Sequence, residues 1–123
     1  PGWQVTATGG QQNCGSAYVQ APPGRTVLMS AWLRAVIPGA GLPTSGVGVW
    51  LDVRLATGSS VFPQAIDVAP ANVPTTWTPY QGLYVLPANA VSIKPFATLR
   101  TSVTAGTFQL CGARLSIIGA MPA

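Results

Sequence analysis

Apolar and polar residues alternate along most of this chain, and the repeat is two residues, not 3.6. The clearest run is Val47–Leu55. Val47, Val49, Leu51, Val53 and Leu55 fall on one side, and Gly48, Trp50, Asp52 and Arg54 on the other. That pattern predicts a strand with one face in a core. Residues 26–36 alternate in the same way: Val27, Met29, Ala31, Leu33 and Ala35 against Leu28, Ser30, Trp32, Arg34 and Val36. Residues 3–8 set Trp3, Val5 and Ala7 opposite Gln4, Thr6 and Thr8, and a short strand is predicted over 17–20.

The later segments read alike. Residues 61–68 are apolar but contain Pro63, which points to an edge or irregular strand, because proline cannot donate to a ladder. Strands are predicted over 82–86 and 91–103, with Pro95 again arguing for an edge or a bulge. The last strand spans 107–118. Its phase slips near Cys111-Gly112, since Phe108 and Leu110 precede Ala113, Leu115 and Ile117, so a bulge is predicted there. Turn signals separate the runs: Gly9-Gly10, Pro22-Pro23-Gly24, Pro38-Gly39-Ala40-Gly41, Thr57-Gly58-Ser59-Ser60, Pro87-Ala88-Asn89 and Ala105-Gly106. The expectation is an all-β protein, an antiparallel β-sandwich or jelly roll of seven or eight strands, forming a single domain over residues 1–123.

Composition narrows the chemistry more than the fold. Of 123 residues only 7% are charged: six Lys+Arg and two acidic residues, Asp52 and Asp67, with no histidine. Histidine triads, histidine metal sites and histidine pH switches are excluded. A hydrolytic carboxylate pair would have to be Asp52 with Asp67, and nothing in the sequence brings them together. Serines and threonines are plentiful but have no base to activate them. An enzyme is therefore not expected, and neither is a cofactor. The net charge of +4 comes from cations scattered along the chain, which is not the clustered pattern of a nucleic-acid site. Every apolar run is interrupted before 18 residues, so no membrane insertion by a helix is expected.

Two cysteines, Cys14 and Cys111, lie near opposite ends of the chain. They are read as one disulfide, worth roughly 4 kcal/mol by loop closure, or as two buried thiols. No C-x-x-C spacing exists to hold zinc.

Four segments, in order, resemble the jelly rolls of carbohydrate-binding modules of families four and nine, which are related to galactose-binding-like sandwiches. They are residues 23–35 with Ser30-Ala31-Trp32-Leu33-Arg34, Val47-Gly48-Val49-Trp50-Leu51-Asp52-Val53 followed by Thr57-Gly58, Thr76-Trp77-Thr78-Pro79-Tyr80, and 106–115 with Gly106-Thr107-Phe108. The resemblance covers most of the chain from Gly24 onward. It implies that Trp77, and Trp3 with it, belong to the core. It departs at Cys111-Gly112, where the family has an Asp-Asp pair, so no metal site is expected: calcium wants six to eight oxygen ligands, several of them anionic.

Sugar recognition needs aromatic faces for C–H surfaces and planar hydrogen-bonding groups beside them. Trp32 and Arg34 share one strand face, and Trp50, Asp52 and Arg54 share another. If both strands lie in one sheet, these five form a binding patch for a carbohydrate or a protein partner. High apolar content with few charges favours a chain surrounded by neighbours. The absence of a linker at either end fits a stand-alone subunit. The leading expectation is a non-catalytic structural or accessory subunit of a virus particle, a phage capsid decoration or tail protein, contacting other subunits and also glycans. The alternative is a carbohydrate-binding module recognising a polysaccharide, secreted rather than in the virion.

Overall fold

Strand β4 (Thr26–Ala40) organises the first sheet. Its inward residues Val27, Met29, Ala31, Leu33 and Ala35 are all buried, and its outward residues face solvent. The protein is described by a computed structural model over residues 2–7, 12–15 and 18–118. Beside β4 lie β10 (Ala105–Ile118) and β8 (Thr78–Val85), and β1 (Gly2–Thr6) pairs with β10, giving a four-stranded sheet in the order β1-β10-β4-β8. The second sheet is built on β5 (Val47–Leu55) and β9 (Ala90–Leu99). It adds β2 (Gln12–Gly15) and the short β3 (Val19–Gln20) along β9, and β6 (Ser60–Val61) and β7 (Ile66–Val68) along β5. All pairings are antiparallel. Among the described residues seven strands have four or more residues, and the only helical element is a 3-10 turn at Pro70–Asn72. No helix of the described residues is long and apolar enough to cross a membrane.

The two sheets close on one cluster of apolar side chains. Val47, Val49, Leu51 and Val53 from β5 meet Met29 and Leu33 from β4 and Phe108 and Leu110 from β10, all fully enclosed. Burial on this scale supplies the main force for folding. The predicted faces of β4, β5 and β10 are the observed ones. The slip near Cys111 is real: the β10–β4 register shifts between Cys111 and Arg114, and Gly112 takes φ +62°, a left-handed value that favours glycine. The bulge lets Leu110 and Leu115 point to the same side.

Several boundaries differ from the sequence reading, each for a local reason. The Pro38-Gly39 turn signal lies inside β4, which runs on to Ala40 opposite Ala105. Gly39 leaves room there for the Phe108 ring, which a side chain would strike. The predicted strand over 61–68 splits around Pro63 into β6 and β7. The intervening Pro63 carbonyl accepts the Leu51 N–H at 2.9 Å, keeping the edge closed.

Pro95 is in an inner strand, not at an edge. It lies opposite Leu51, whose N–H points away from β9 toward Pro63. Leu51 and Pro95 are thus a non-hydrogen-bonded pair, and the missing proline N–H points away from β5. On that side β2 pairs only with Phe96–Leu99 and β3 only with Ser92 and Ile93, so no ladder bond is lost among the described residues. Strand β2 was not foreseen: Gln12–Gly15 has no alternation to read. Thr8 and Ala17, placed in strands by the pattern, are outside the described residues.

Candidate functional site

The five residues singled out by sequence do not share a sheet. Trp32 and Arg34 lie on β4 and face out from the four-stranded sheet. Trp50, Asp52 and Arg54 lie on β5 and face out from the six-stranded sheet. The sandwich therefore has two distinct outer faces.

On the six-stranded face the side chains engage one another. Trp50 meets Phe96 edge-on, with ring centroids 6.3 Å apart, and Arg100 lies 5.3 Å from the Trp50 ring centre. Phe62 in turn meets Phe96 edge-on. Tyr18 donates its hydroxyl to Asp52 Oδ2, and its ring takes Arg54 at 4.3 Å and Lys94 at 4.7 Å. The bond to Asp52 raises the Tyr18 pKa above the ordinary tyrosine value; reduced solvation adds to this, and a hydrogen bond with Arg54 opposes it. Trp50 Nε1 and Asp52 Oδ1 are enclosed without a hydrogen-bond partner. Asp67 accepts the Gly46 N–H at 2.9 Å and pairs with Arg100 at 4.0 Å. Asp67 lies opposite Gly48, four positions from Asp52 along β5, or about 13 Å of strand. The two carboxylates thus belong to separate networks.

The four-stranded face is built as rows across the strands. One row runs Gln4, Gln109, Arg34 and then Trp77. Gln109 Nε2 donates to Gln4 Oε1 at 2.9 Å, Arg34 Nε donates to Gln109 Oε1 at 2.8 Å, and the Arg34 guanidinium lies 4.7 Å from the Trp77 ring centre. The next row is Cys111, Trp32 and Pro79, followed by Arg114, Ser30 and Gln81. Beyond them the face turns apolar at Leu28, Leu83, Val85 and Ile118. Trp32 is 46% exposed and Trp77 39% exposed. A depression of about 360 Å³ opens among Trp3, Gln4, Trp77, Gln109 and Cys111, and one of about 230 Å³ among Trp32, Ser30, Gln81 and Gly112.

Trp77 corrects the sequence reading. It was expected in the core but lies on the surface, just before β8, where Arg34 stacks on it. Trp3 does pack against the core. The contribution of Gln4 and Gln109 was missed. The signal was available: Gln109 sits between Phe108 and Leu110 at an outward position of an alternating strand. Cys111 is half-buried on this face, whereas β2, which carries Cys14, belongs to the other sheet. The Cys14 side chain, and with it the expected pairing, is outside the described residues. Among the described residues no three of His, Cys, Asp and Glu come together as metal ligands would.

No protein-family model matches the sequence, and no curated protein matches it. Solved structures do match. Family 16 Carbohydrate Binding Module-2 superposes with a TM-score of 0.60 at 19% identity over 94% of this chain and 75% of its own. The CBM22-1 xylan-binding domain of Paenibacillus barcinonensis Xyn10C gives 0.54 at 13% identity, over 96% of this chain and 87% of its own. The enzymatically active domain of tailspike protein 4 of bacteriophage CBA120 gives 0.55 at 15% identity, over 88% of this chain but only 13% of its own. With two antiparallel sheets, this strand order and these superpositions, the chain has the jelly-roll fold of carbohydrate-binding modules.

Proposed function

We propose that the chain is a non-catalytic carbohydrate-binding module and that a polysaccharide lies across the outer face of its four-stranded sheet. The observation that carries this reading is the Gln4–Gln109–Arg34 hydrogen-bonded row, which ends on the exposed indole of Trp77 and is flanked in the next row by that of Trp32. Indole faces cover the C–H surfaces of sugar rings, and fixed amide and guanidinium groups bind ring hydroxyls at low entropic cost. The fold shared with carbohydrate-binding modules supports the same reading. Trp50, Asp52 and Arg54, on the opposite face, are occupied with Tyr18, Phe96 and Arg100, and serve to hold the six-stranded sheet together.

The test is tryptophan fluorescence during titration with soluble polysaccharides. A glycan that shifts the parent spectrum should leave Trp32→Ala and Trp77→Ala unshifted while both variants melt near the parent. If both variants still respond like the parent, the face is assigned wrongly.

A second reading places the module in a virus particle as an accessory subunit. The likeness to a stretch of a phage tailspike supports it, as does the exposed apolar end of the same sheet, where Leu83 is 63% exposed. Sedimentation at micromolar concentration separates the two. A stable oligomer lost on Leu83→Ser favours the assembly role, and a monomer at all concentrations disposes of it. The two roles are compatible, since a tail protein can carry a glycan-binding face.

A further inference from the structure

The proposed glycan face carries charge of one sign. The chain has two acidic side chains in all, Asp52 and Asp67, and both belong to the six-stranded sheet. The strands of the four-stranded sheet contain Arg34 and Arg114 and no acid. The only ion pair among the described residues, Arg100 with Asp67, is on the other sheet. Arg34 uses Nε on Gln109, which holds its guanidinium in place over Trp77. Arg114 is exposed opposite Ser30, so the two arginines sit four β4 positions apart, about 13 Å along the strand, with Trp32 between their rows.

We infer that the polysaccharide this face takes is anionic, bearing carboxylate or sulfate groups, with Arg34 and Arg114 as the two charge contacts on either side of the Trp32 stacking position. The inference rests on the glycan-binding reading above. Three physical points carry it. A neutral glycan gives a guanidinium only weak hydrogen bonds to hydroxyls, whereas a carboxylate or sulfate matches its planar fork with two charge-assisted bonds. No carboxylate on the sheet competes for either arginine or repels an incoming anion. The Trp77 ring beneath Arg34 keeps water from one side of its guanidinium and strengthens that contact. An acid-free sheet is also not what the rest of the molecule shows: on the other sheet Asp52 lies opposite Lys94 and Asp67 pairs with Arg100.

Affinity electrophoresis in native gels tests this with four probes: polygalacturonate for carboxylate, carrageenan for sulfate, and arabinoxylan and hydroxyethylcellulose as neutral glycans. The parent should bind one of the two anionic polymers at least about tenfold more tightly than either neutral one. Arg34→Gln and Arg114→Gln should each remove most of that preference. Lys94→Gln, on the opposite face, should keep the preference. The preference should also vanish at about 1 M NaCl, where the Debye length is about 3 Å. Which anionic polymer binds identifies the charged group. The inference is overturned if neutral and anionic probes bind within about twofold, or if Lys94→Gln acts as strongly as Arg34→Gln, which would mean attraction by net charge alone. Neutral binding that is lost in Trp32→Ala without any charge preference would overturn this inference and leave the glycan-binding reading standing. Retardation by none of the four would overturn both.

Discussion

Arg34 is held from two directions: its Nε donates to Gln109 at 2.8 Å, and its guanidinium lies over the Trp77 ring, 4.7 Å from its centre. A long, flexible side chain is thereby fixed before any ligand arrives. Gln109→Ala removes one support while leaving the charge. Because the row is at the surface, stability should change by less than about 1 kcal/mol. Glycan binding should weaken several-fold as Arg34 gains freedom, as measured by isothermal titration beside a thermal melt. Unchanged binding would show that preorganisation of Arg34 plays no part.

Two tryptophans on opposite faces should behave oppositely. Trp50 is half-buried, packs on Phe96 and lies under Arg100, so Trp50→Ala should cost about 2–3 kcal/mol of stability and leave binding intact. Trp32 is half-exposed on the proposed platform, so Trp32→Ala should abolish binding with little loss of stability. Chemical denaturation and titration on both variants form a crossed experiment, and the reverse outcome would exchange the roles of the two faces.

Val49 and Leu51 are fully enclosed between the sheets. Replacing either with Asp puts a carboxylate where no partner exists and should cost several kcal/mol, enough to unfold much of the population. Circular dichroism melts would show it. A variant melting with the parent would refute the assignment of the core face.

Tyr18 gives the molecule a pH dependence on the alkaline side. Its folded pKa is raised above the ordinary value of 10.0, chiefly by the hydrogen bond to Asp52. A folded value above the unfolded one means the contribution is complete below the unfolded pKa and is lost as pH rises through the folded one. Denaturation midpoints should therefore fall in strongly alkaline buffer more for the parent than for Tyr18→Phe. Tyr80, raised by burial, remains in both proteins and cancels in the comparison. Equal alkaline slopes would show that the Tyr18–Asp52 bond does not form in solution.

Much of this architecture was legible in the residues. The alternation of β4, β5 and β10 gave their faces correctly, because period two with one buried side leaves a single solution for each strand. The bulge at Cys111-Gly112 was readable because the apolar phase shifts while the strand continues. Strand partnership was not readable. Nothing in the β4 and β5 sequences says that one joins the first sheet and the other the second, since pairing is decided by contacts distant in sequence. That is why Trp32 with Arg34 and Trp50 with Asp52 and Arg54 looked able to form one patch. Trp77 was misplaced because an aromatic between threonines fits a buried strand and a strand entry equally well. Only the position of Arg34 across the sheet distinguishes the two.

The bulge at Gly112 acts as a frame marker for everything after it. Past this residue the inward and outward positions of β10 are exchanged, which is how Leu115 reaches the core opposite Met29 while Arg114 stands on the surface opposite Ser30. Run on as a regular ladder without the bulge, the same residues would turn Arg114 inward and Leu115 outward. The sheet would lose half its charge and the core would gain an ion. A residue at this position that resists the left-handed turn would therefore act on a charge two places further along the strand. The charge pattern of this face is set as much by the spacing of its residues as by their identity.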